Sequence, residues 1–360
     1  MSVGKVNIRN ANSDYIHEWL IQKGYKPFRE KQINEWLWKK NAHSFESMPN
    51  LGKKLTQDLD EHFFIDYISL SDKQVSNDKT VKCAFCVGEN QIIEGVLIPT
   101  KTRSTACISS QVGCSLSCEF CATGKLKLLR NLTPGEIVDQ VVLLNNISLQ
   151  NLNRTISNVV YMGMGEPLLN YKNVLKSAEI LCSENGLAMS PKRITLSTAG
   201  IAKMITKLGD DNVRFNLALS LHAANDKKRN KIMEINESNN LLDLSKSLKH
   251  FYNRTGSRIT FEYIIFDGFN DEIEDAAELA TFSKSVPCKI NIIEYNPIDE
   301  GTLKQAKQSK VNAFASFLES KNLIVNVRRS RGKDIDAACG QLANKNKSIQ
   351  NSNIHYKNKT

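Results

Sequence analysis

Three cysteines fall within eight residues, Cys114-Ser-Leu-Ser-Cys118-Glu-Phe-Cys121, and no fourth follows at ligand spacing. A structural zinc site or an electron-transfer cluster completes its shell with four protein ligands. Three thiolates on one tight loop point instead to a four-iron cluster that keeps one iron open for a small molecule. A second pair, Cys83 and Cys86, has the spacing of a zinc or thioredoxin motif. It lies in an extended segment, where positions i and i+3 face opposite sides, and no second pair accompanies it. Small strand residues are the reading that pattern favours.

Such a site needs a core to hold it. The chain has 360 residues, 41% of them hydrophobic, enough for a main domain and an accessory one. Its apolar runs are short and interrupted by charge, so no membrane span is expected. The opening Met-Ser-Val-Gly-Lys-Val-Asn-Ile-Arg lacks the apolar stretch of a signal peptide. Nine cysteines without an export signal imply a reducing cytoplasm, where clustered thiols bind metal or do redox chemistry. The formal net charge of +10 favours a polyanionic partner without naming it. The excess is local at Arg328-Arg329-Ser330-Arg331-Gly332-Lys333 and in the tail 343–360, which has four lysines, no acid and a composition that predicts disorder.

The elements that must position the cysteines follow from periodicity. Helices are expected over 14–23, capped by Ser13, then over 28–39 and 51–63. All three tryptophans, Trp19, Trp36 and Trp38, lie in this stretch, and core packing of a small helical domain is their expected role. Segments 80–87 and 91–99 read as a hairpin across residues 88–90. Strands are then expected over 105–109, 156–162, 193–197, 215–221, 259–266 and 289–295, with a further one over 323–327. Helices fall between them near 171–185, 241–252, 271–285 and 305–321. The clearest helix start is Thr133-Pro134-Gly135-Glu136, a capping box with proline in the first turn. Strands alternating with helices mean a parallel α/β fold, either a barrel or an open doubly wound sheet.

In such folds chemistry gathers at the carboxyl ends of the strands. The cysteine loop follows the first strand. Gly163-Met164-Gly165-Glu166-Pro167 follows the second, Ser197 ends the third, Ser220-Leu221-His222 the fourth and Asn296-Pro297 the sixth. Pro167 and Leu168 make the glycine segment a poor dinucleotide fingerprint. Glu166, beside a backbone opened by glycine, could receive the ammonium group of an amino-acid-like ligand. His222 alone reads as a hydrogen-bonded packing histidine; with Ser220 beside it at a strand end, ligand contact gains ground.

These residues also carry a resemblance. Cys114-x-x-x-Cys118-x-x-Cys121 resembles the cluster motif of radical S-adenosylmethionine enzymes, and Gly163-Met-Gly165-Glu166 their motif for the methionine amino group. Cys107-Ile-Ser-Ser-Gln-Val-Gly-Cys114, Met162-Gly-Met-Gly-Glu-Pro167, Ser220-Leu-His-Ala223 and Asp334-Ile-Asp-Ala-Ala-Cys339-Gly340-Gln341-Leu342 are similar to the RlmN family over almost the whole chain. That family methylates adenine C2 in 23S ribosomal RNA and in certain transfer RNAs.

The resemblance implies a partial (β/α)6 TIM-type barrel of the radical S-adenosylmethionine class with a small N-terminal helical domain. The implied divisions are an RNA-binding helical domain over 1–65, an extended β segment or linker over 66–100, the radical core over 101–335, and over 336–360 a loop with Cys339 and a basic tail. It implies one [4Fe-4S] cluster on Cys114, Cys118 and Cys121, and two S-adenosylmethionine molecules per turnover, bound by Gly165, Glu166, Ser197, Ser220, Leu221, His222 and Asn296. Cys339 would carry the methyl group as S-methylcysteine. Cys107 would resolve the protein–RNA crosslink through a transient disulfide with Cys339, and Glu94 would accept a proton, although Glu94 also reads as a solvent-facing strand residue. Cys182 and Cys288 match no role and read as packing cysteines. Implied partners are 23S ribosomal RNA, transfer RNA and a flavodoxin or ferredoxin as electron donor, for a cytoplasmic monomer. Two alternatives stay open: a Cfr-type enzyme acting at C8 of the same adenine, against which Pro167 argues, and a non-catalytic iron–sulfur RNA-binding assembly factor.

Overall fold

Residues Ile259–Ile265 show how this chain builds its sheet. The odd positions pack outward on helices: Phe261 meets Phe282 and Tyr263 meets Phe314, each with ring centroids 5.4 Å apart. The even positions, Thr260, Glu262 and Ile264, line the opposite face, and all seven residues are buried. A strand covered on both faces belongs inside a parallel sheet rather than at its edge.

The computed structural model describes residues 4–88, 91–299 and 301–344. Residues 89–90 of the expected hairpin tip and the expected disordered tail beyond residue 344 lie outside the described residues. The N-terminal stretch forms α1 (Ser13–Gln22), α2 (Phe28–Asn34), which continues into a π turn over Glu35–Lys39, and α3 (Lys53–His62). The cap of α1 is Asn12 rather than the expected Ser13. Asn12 has extended backbone and its side chain accepts from the Tyr15 N–H, whereas Ser13 is already helical. Trp19 lies in a core with Leu20, Ile33, Leu37, Leu59 and Phe63, and Trp36 and Trp38 pack against it half-buried.

Strands β1 (Ser69–Val75), β2 (Val81–Val87), β3 (Gln91–Pro99) and β4 (Ser104–Cys107) pair antiparallel in sequence. From β4 onward the pairing is parallel through β5 (Asn158–Tyr161), β6 (Ile194–Thr198), β7 (Asn216–Ser220), β8 (Ile259–Ile265), β9 (Cys288–Glu294) and β10 (Val325–Arg328). All ten form one sheet in chain order, so the segment read as an extended β segment or linker continues the barrel wall. The crossovers are α4 (Pro134–Leu152), α5 (Tyr171–Cys182), α6 (Ala202–Asp210), α7 (Asp226–Ile232) with α8 (Leu241–Thr255), α9 (Ile273–Ser283) and α10 (Gln308–Ser320). Six β/α units and a closing strand make a partial barrel, since β1 and β10 remain its two edges. Thr133 caps α4 in the expected capping box. Helices α6 and α7 are additions to the sequence reading: α7, Asp-Lys-Lys-Arg-Asn-Lys-Ile, offers a single apolar residue and hence no periodicity. No helix among the described residues is long and apolar enough to cross a membrane.

The N-terminal helices dock through Arg9. Its guanidinium grips Asp139 of α4 at 2.8 and 2.6 Å, donates to the Asp66 carbonyl at 3.0 Å and lies 4.7 Å from the Trp38 ring. The two charged side chains are 2% and 3% exposed, and Asp139 also accepts from the Ile68 N–H at 3.2 Å. Breaking a buried, bidentate pair from one side leaves an uncompensated charge. Asp139→Ala is therefore expected to lower stability by about 3–5 kcal/mol, read by urea unfolding.

Candidate active site

The loop after β4 is closed at its base by pairing of Gln111–Val112 with Arg130–Asn131. Between them stand Cys114, Cys118 and Cys121, all free thiols. The Cys121 N–H donates to the Cys118 carbonyl at 3.1 Å, the Leu116 N–H to Cys114 Sγ at 3.4 Å, and the Glu119 N–H to the Ile232 carbonyl of α7 at 3.1 Å. Cys118 and Cys121 pack against Phe120, Ile264, Phe266 and Tyr295. Burial pushes Cys114 up to about 11 and raises Cys118 and Cys121 as well; for Cys118 the neighbouring thiols add to the rise and Arg229 opposes it.

The donor set fits a four-iron cluster. It is three thiols without a fourth, on one short loop, with backbone N–H groups aimed at sulfur and an apolar shell around it. Among the described residues no three His, Cys, Asp or Glu side chains gather as ligands of a single ion. Cys83 and Cys86 on β2 make no such set; Cys83 is buried and Cys86 half-buried, and burial pushes Cys83 up to about 12. Cys182 and Cys288 are half-buried against the main core.

The loop after β5 passes so close to the loop after β4 that it needs glycine. A Cβ on Gly163 would stand 2.7 Å from the Ile108 carbonyl carbon, and one on Gly165, at φ +92°, 2.5 Å from the Gln111 Cβ. Glu166 then laces three strand ends together. Its N–H donates to Gln111 Oε1 at 2.8 Å, its Oε1 accepts from Leu168 at 3.0 Å and its Oε2 from Ala199 at 2.7 Å. Burial raises the carboxyl pKa, and these backbone donors oppose the rise.

Ser197 and Ser220 face each other at the ends of β6 and β7, with Oγ atoms 3.4 Å apart. Leu221 is fully buried, and Asn296 is buried with its amide directed to the Glu294 carbonyl at 3.3 Å. His222 has φ +56° and stands edge-on to Phe120. Its Nδ1 accepts from the Ile264 N–H at 3.1 Å, so the neutral ring carries its proton on Nε2. Burial, with Arg229 adding to it, pulls the His222 pKa down to about 3, so the ring is neutral at physiological pH.

Beneath this rim lies Arg229, a residue the sequence reading passes over because it sits in a charged run. It is fully buried, with donors on the carbonyls of Leu221 at 3.0 Å, Ala199 at 2.5 Å and Ser220 at 3.2 Å, and on Asn236 Oδ1 at 2.6 Å.

The C-terminal loop closes over the other side. The Ala122 N–H donates to the Gly340 carbonyl at 2.7 Å and Thr123 Oγ1 to the Leu342 carbonyl at 2.6 Å, so Cys339 is held beside the cysteine loop. Cys339 is exposed, although the packed loop and the Glu262 charge raise its pKa while Arg328 lowers it. Cys107 ends β4 and is buried, and that burial, with the charge of Cys339 adding to it, raises its pKa. Glu94 is 1% exposed, which excludes the solvent-facing reading. Its Oε2 accepts from the Ala343 and Asn344 N–H groups at 2.8 and 3.1 Å, and its Oε1 stands 3.7 Å from Lys82 Nζ. Residues 343 and 344, expected in the disordered tail, are thereby held. Glu262, on the interior face of β8, is a further buried carboxylate, its pKa raised by burial. A lone charge within Ile-Thr-Phe-Glu-Tyr-Ile-Ile is the signal that marks it in the sequence.

His222 makes stability depend on pH. The unfolded ring takes up a proton near its ordinary 6.5 and the folded one only near 3. Between these values the unfolded state binds more protons, so the contribution is full above 6.5 and is lost as pH falls toward 3. His222→Asn, which tolerates positive φ, is expected to flatten this slope in urea unfolding of the metal-free protein between pH 6.5 and about 4.

Comparison with known proteins meets this geometry. Residues 108–280 match the radical SAM superfamily, and residues 6–65 match the ribosomal RNA large subunit methyltransferase N-terminal domain. The chain is 56% identical to a probable dual-specificity RNA methyltransferase RlmN of Cytophaga hutchinsonii, over 95% of this chain and 93% of that one. It is 52% identical to the protein of the same name from Flavobacterium psychrophilum, over 96% and 99%, and 40% identical to that of Bacillus subtilis, over 93% and 92%. The crystal structure of a radical SAM methyltransferase from Sphaerobacter thermophilus superposes with a TM-score of 0.87 at 35% identity, covering 94% of this chain and 99% of that one. With near full-length identity above half and both family models matched in order, the chain belongs to the RlmN family of the radical S-adenosylmethionine superfamily.

Proposed function

We propose that this protein methylates C2 of an adenine in 23S ribosomal RNA, of the adenine 2503 type, and adenine 37 of some transfer RNAs, through a methyl group carried on Cys339. The observation that carries the reading is the seating of the Cys339 loop directly on the cysteine loop. Adenine C2 is electron-poor and no nucleophile, so polar methyl transfer fails there. A four-iron cluster on Cys114, Cys118 and Cys121 with S-adenosylmethionine at its open iron supplies, when bound and reduced by one electron, the carbon radical that such chemistry needs.

The chain's own residues account for the rest. Glu166, Gly165, Ser197, Ser220, Leu221, His222 and Asn296 form the polar and glycine rim that would hold S-adenosylmethionine, with neutral His222 as an Nε2–H donor. Cys339 takes the methyl group from one such molecule, and a second serves the radical step. Cys107 then bonds to Cys339 sulfur as the crosslink to RNA is released. Glu94 keeps Oε1 without a hydrogen-bond partner among the described residues, which supports its role as acceptor for the proton leaving C2. Free thiols that cycle through a disulfide suit a reducing cytoplasm, and a flavodoxin or ferredoxin would supply the electron.

Mass spectrometry of RNA treated with the reconstituted, reduced enzyme is expected to give 2-methyladenosine; 8-methyladenosine alone would refute the assignment of C2. Cys339→Ala is expected to abolish methyl transfer while leaving the iron content unchanged. Cys107→Ala is expected to accumulate a covalent protein–RNA adduct, visible as a shifted band, and normal product from it would remove its assigned role.

A further inference from the structure

Beyond Ser220, the interior wall of the barrel carries a polar row that the functions above do not use. In register across four strands stand Ser220, Glu262, Asn291 and Asn326. Asn326 Nδ2 donates to Asn291 Oδ1 at 3.3 Å, and Asn291 Nδ2 donates to Glu262 Oε1 at 2.7 Å. Arg328 stands 3.8 Å from that same oxygen. The Glu262 side chain is 5% exposed, and its Oε2 has no hydrogen-bond partner among the described residues. The ladder decides which oxygen is free: with its own oxygen engaged by Asn326, Asn291 turns its NH2 to Oε1. A buried acceptor left without a donor is costly, and in an enzyme interior a bound ligand is a natural source of the missing donor.

We infer that Glu262 reads the exocyclic amine of the target adenine and thereby sets the base specificity of the reaction. The inference rests on the RNA adenine reading above. Of the purines, adenine presents an N6 amine where guanine presents the oxygen O6, and hypoxanthine carries an oxygen there too. A carboxylate acceptor bonds the first and repels the others. The carbon that bears the amine is separated from C2 by N1 alone, so both lie on one edge of the ring and a reader of the amine stands on the same side of the pocket as the methyl carrier. Glu262 lies on the interior face shared with Ile264, which packs over the cysteine loop, and its charge is felt at the Cys339 thiol. Leaving a buried polar group unpaired is also how a site rejects the wrong substrate most strongly.

Glu262→Gln tests this with little change of shape. The amide keeps an acceptor for Asn291 and puts an NH2 donor where Oε2 stood. The reconstituted enzyme would be given one RNA fragment with adenosine at the target position and one with inosine, and Cys339 methylation would be followed by intact mass. The wild type is expected to prefer adenosine. In Glu262→Gln the rate on adenosine falls by about 100-fold or more, the preference shifts toward inosine, and Cys339 methylation persists. Glu262→Asp, which keeps an acceptor, is expected to retain the adenosine preference at a lower rate. An unchanged adenosine-to-inosine ratio in Glu262→Gln would overturn the inference. So would loss of Cys339 methylation, which would assign Glu262 to S-adenosylmethionine instead. A wild type that methylates neither RNA would overturn the proposed activity, and this inference with it.

Discussion

Where parallel strands end, the backbone leaves N–H and C=O groups that no neighbouring strand completes, and the rest of this structure depends on how they are satisfied. Here buried side chains do it. Arg229 takes the carbonyls of Ala199, Ser220 and Leu221, and Glu166 takes the N–H groups of Leu168 and Ala199. Asn270 spans His222 and Ile264, and Gln140 both donates to and accepts from Ser109. These amide, carboxylate and guanidinium braces hold loops of unlike sequence at fixed mutual positions. Burying them is costly unless each is fully bonded, which makes the rim rigid rather than adaptable.

The same economy explains the division between fixed and closing parts of the site. The cluster loop is tied to α7 and its own short ladder, while the Cys339 loop is held from outside by a few contacts to Ala122, Thr123, Pro297 and Glu94. An exposed thiol on a loop attached at discrete points can reach both a cofactor-side donor and a nucleic acid base. A thiol buried at a strand end, as Cys107 is, serves a single direction. The chemistry proposed for the two cysteines matches that difference in exposure.

Much of the fold was legible in the residues. The alternation of β-branched runs with capped helices marks the parallel barrel, and Thr133, Pro134 and Glu136 announce α4 because capping is a local interaction. The cysteine spacing, the glycines at 163 and 165 and the strand-end polar residues were readable for the same reason: close approach and ligand spacing are matters of a few residues. Less local features were not readable. Asn12 rather than Ser13 caps α1 because the cap belongs to whichever residue stays extended, and helix α7 carries too little pattern to be seen.

The amino-acid sequence by itself therefore determined the family, the order of strands and helices, and which residue types stand at each strand end, since these rest on short-range pattern and motif. Only the tertiary structure decided that Arg229 is a buried brace and that Glu94 holds the C-terminal loop. It alone seated the Cys339 loop on the cysteine loop and left one oxygen of Glu262 without a partner among the described residues. Each of these joins residues far apart in the chain, and burial or an unmet hydrogen bond is a property of the packed surroundings, which no local stretch of sequence encodes.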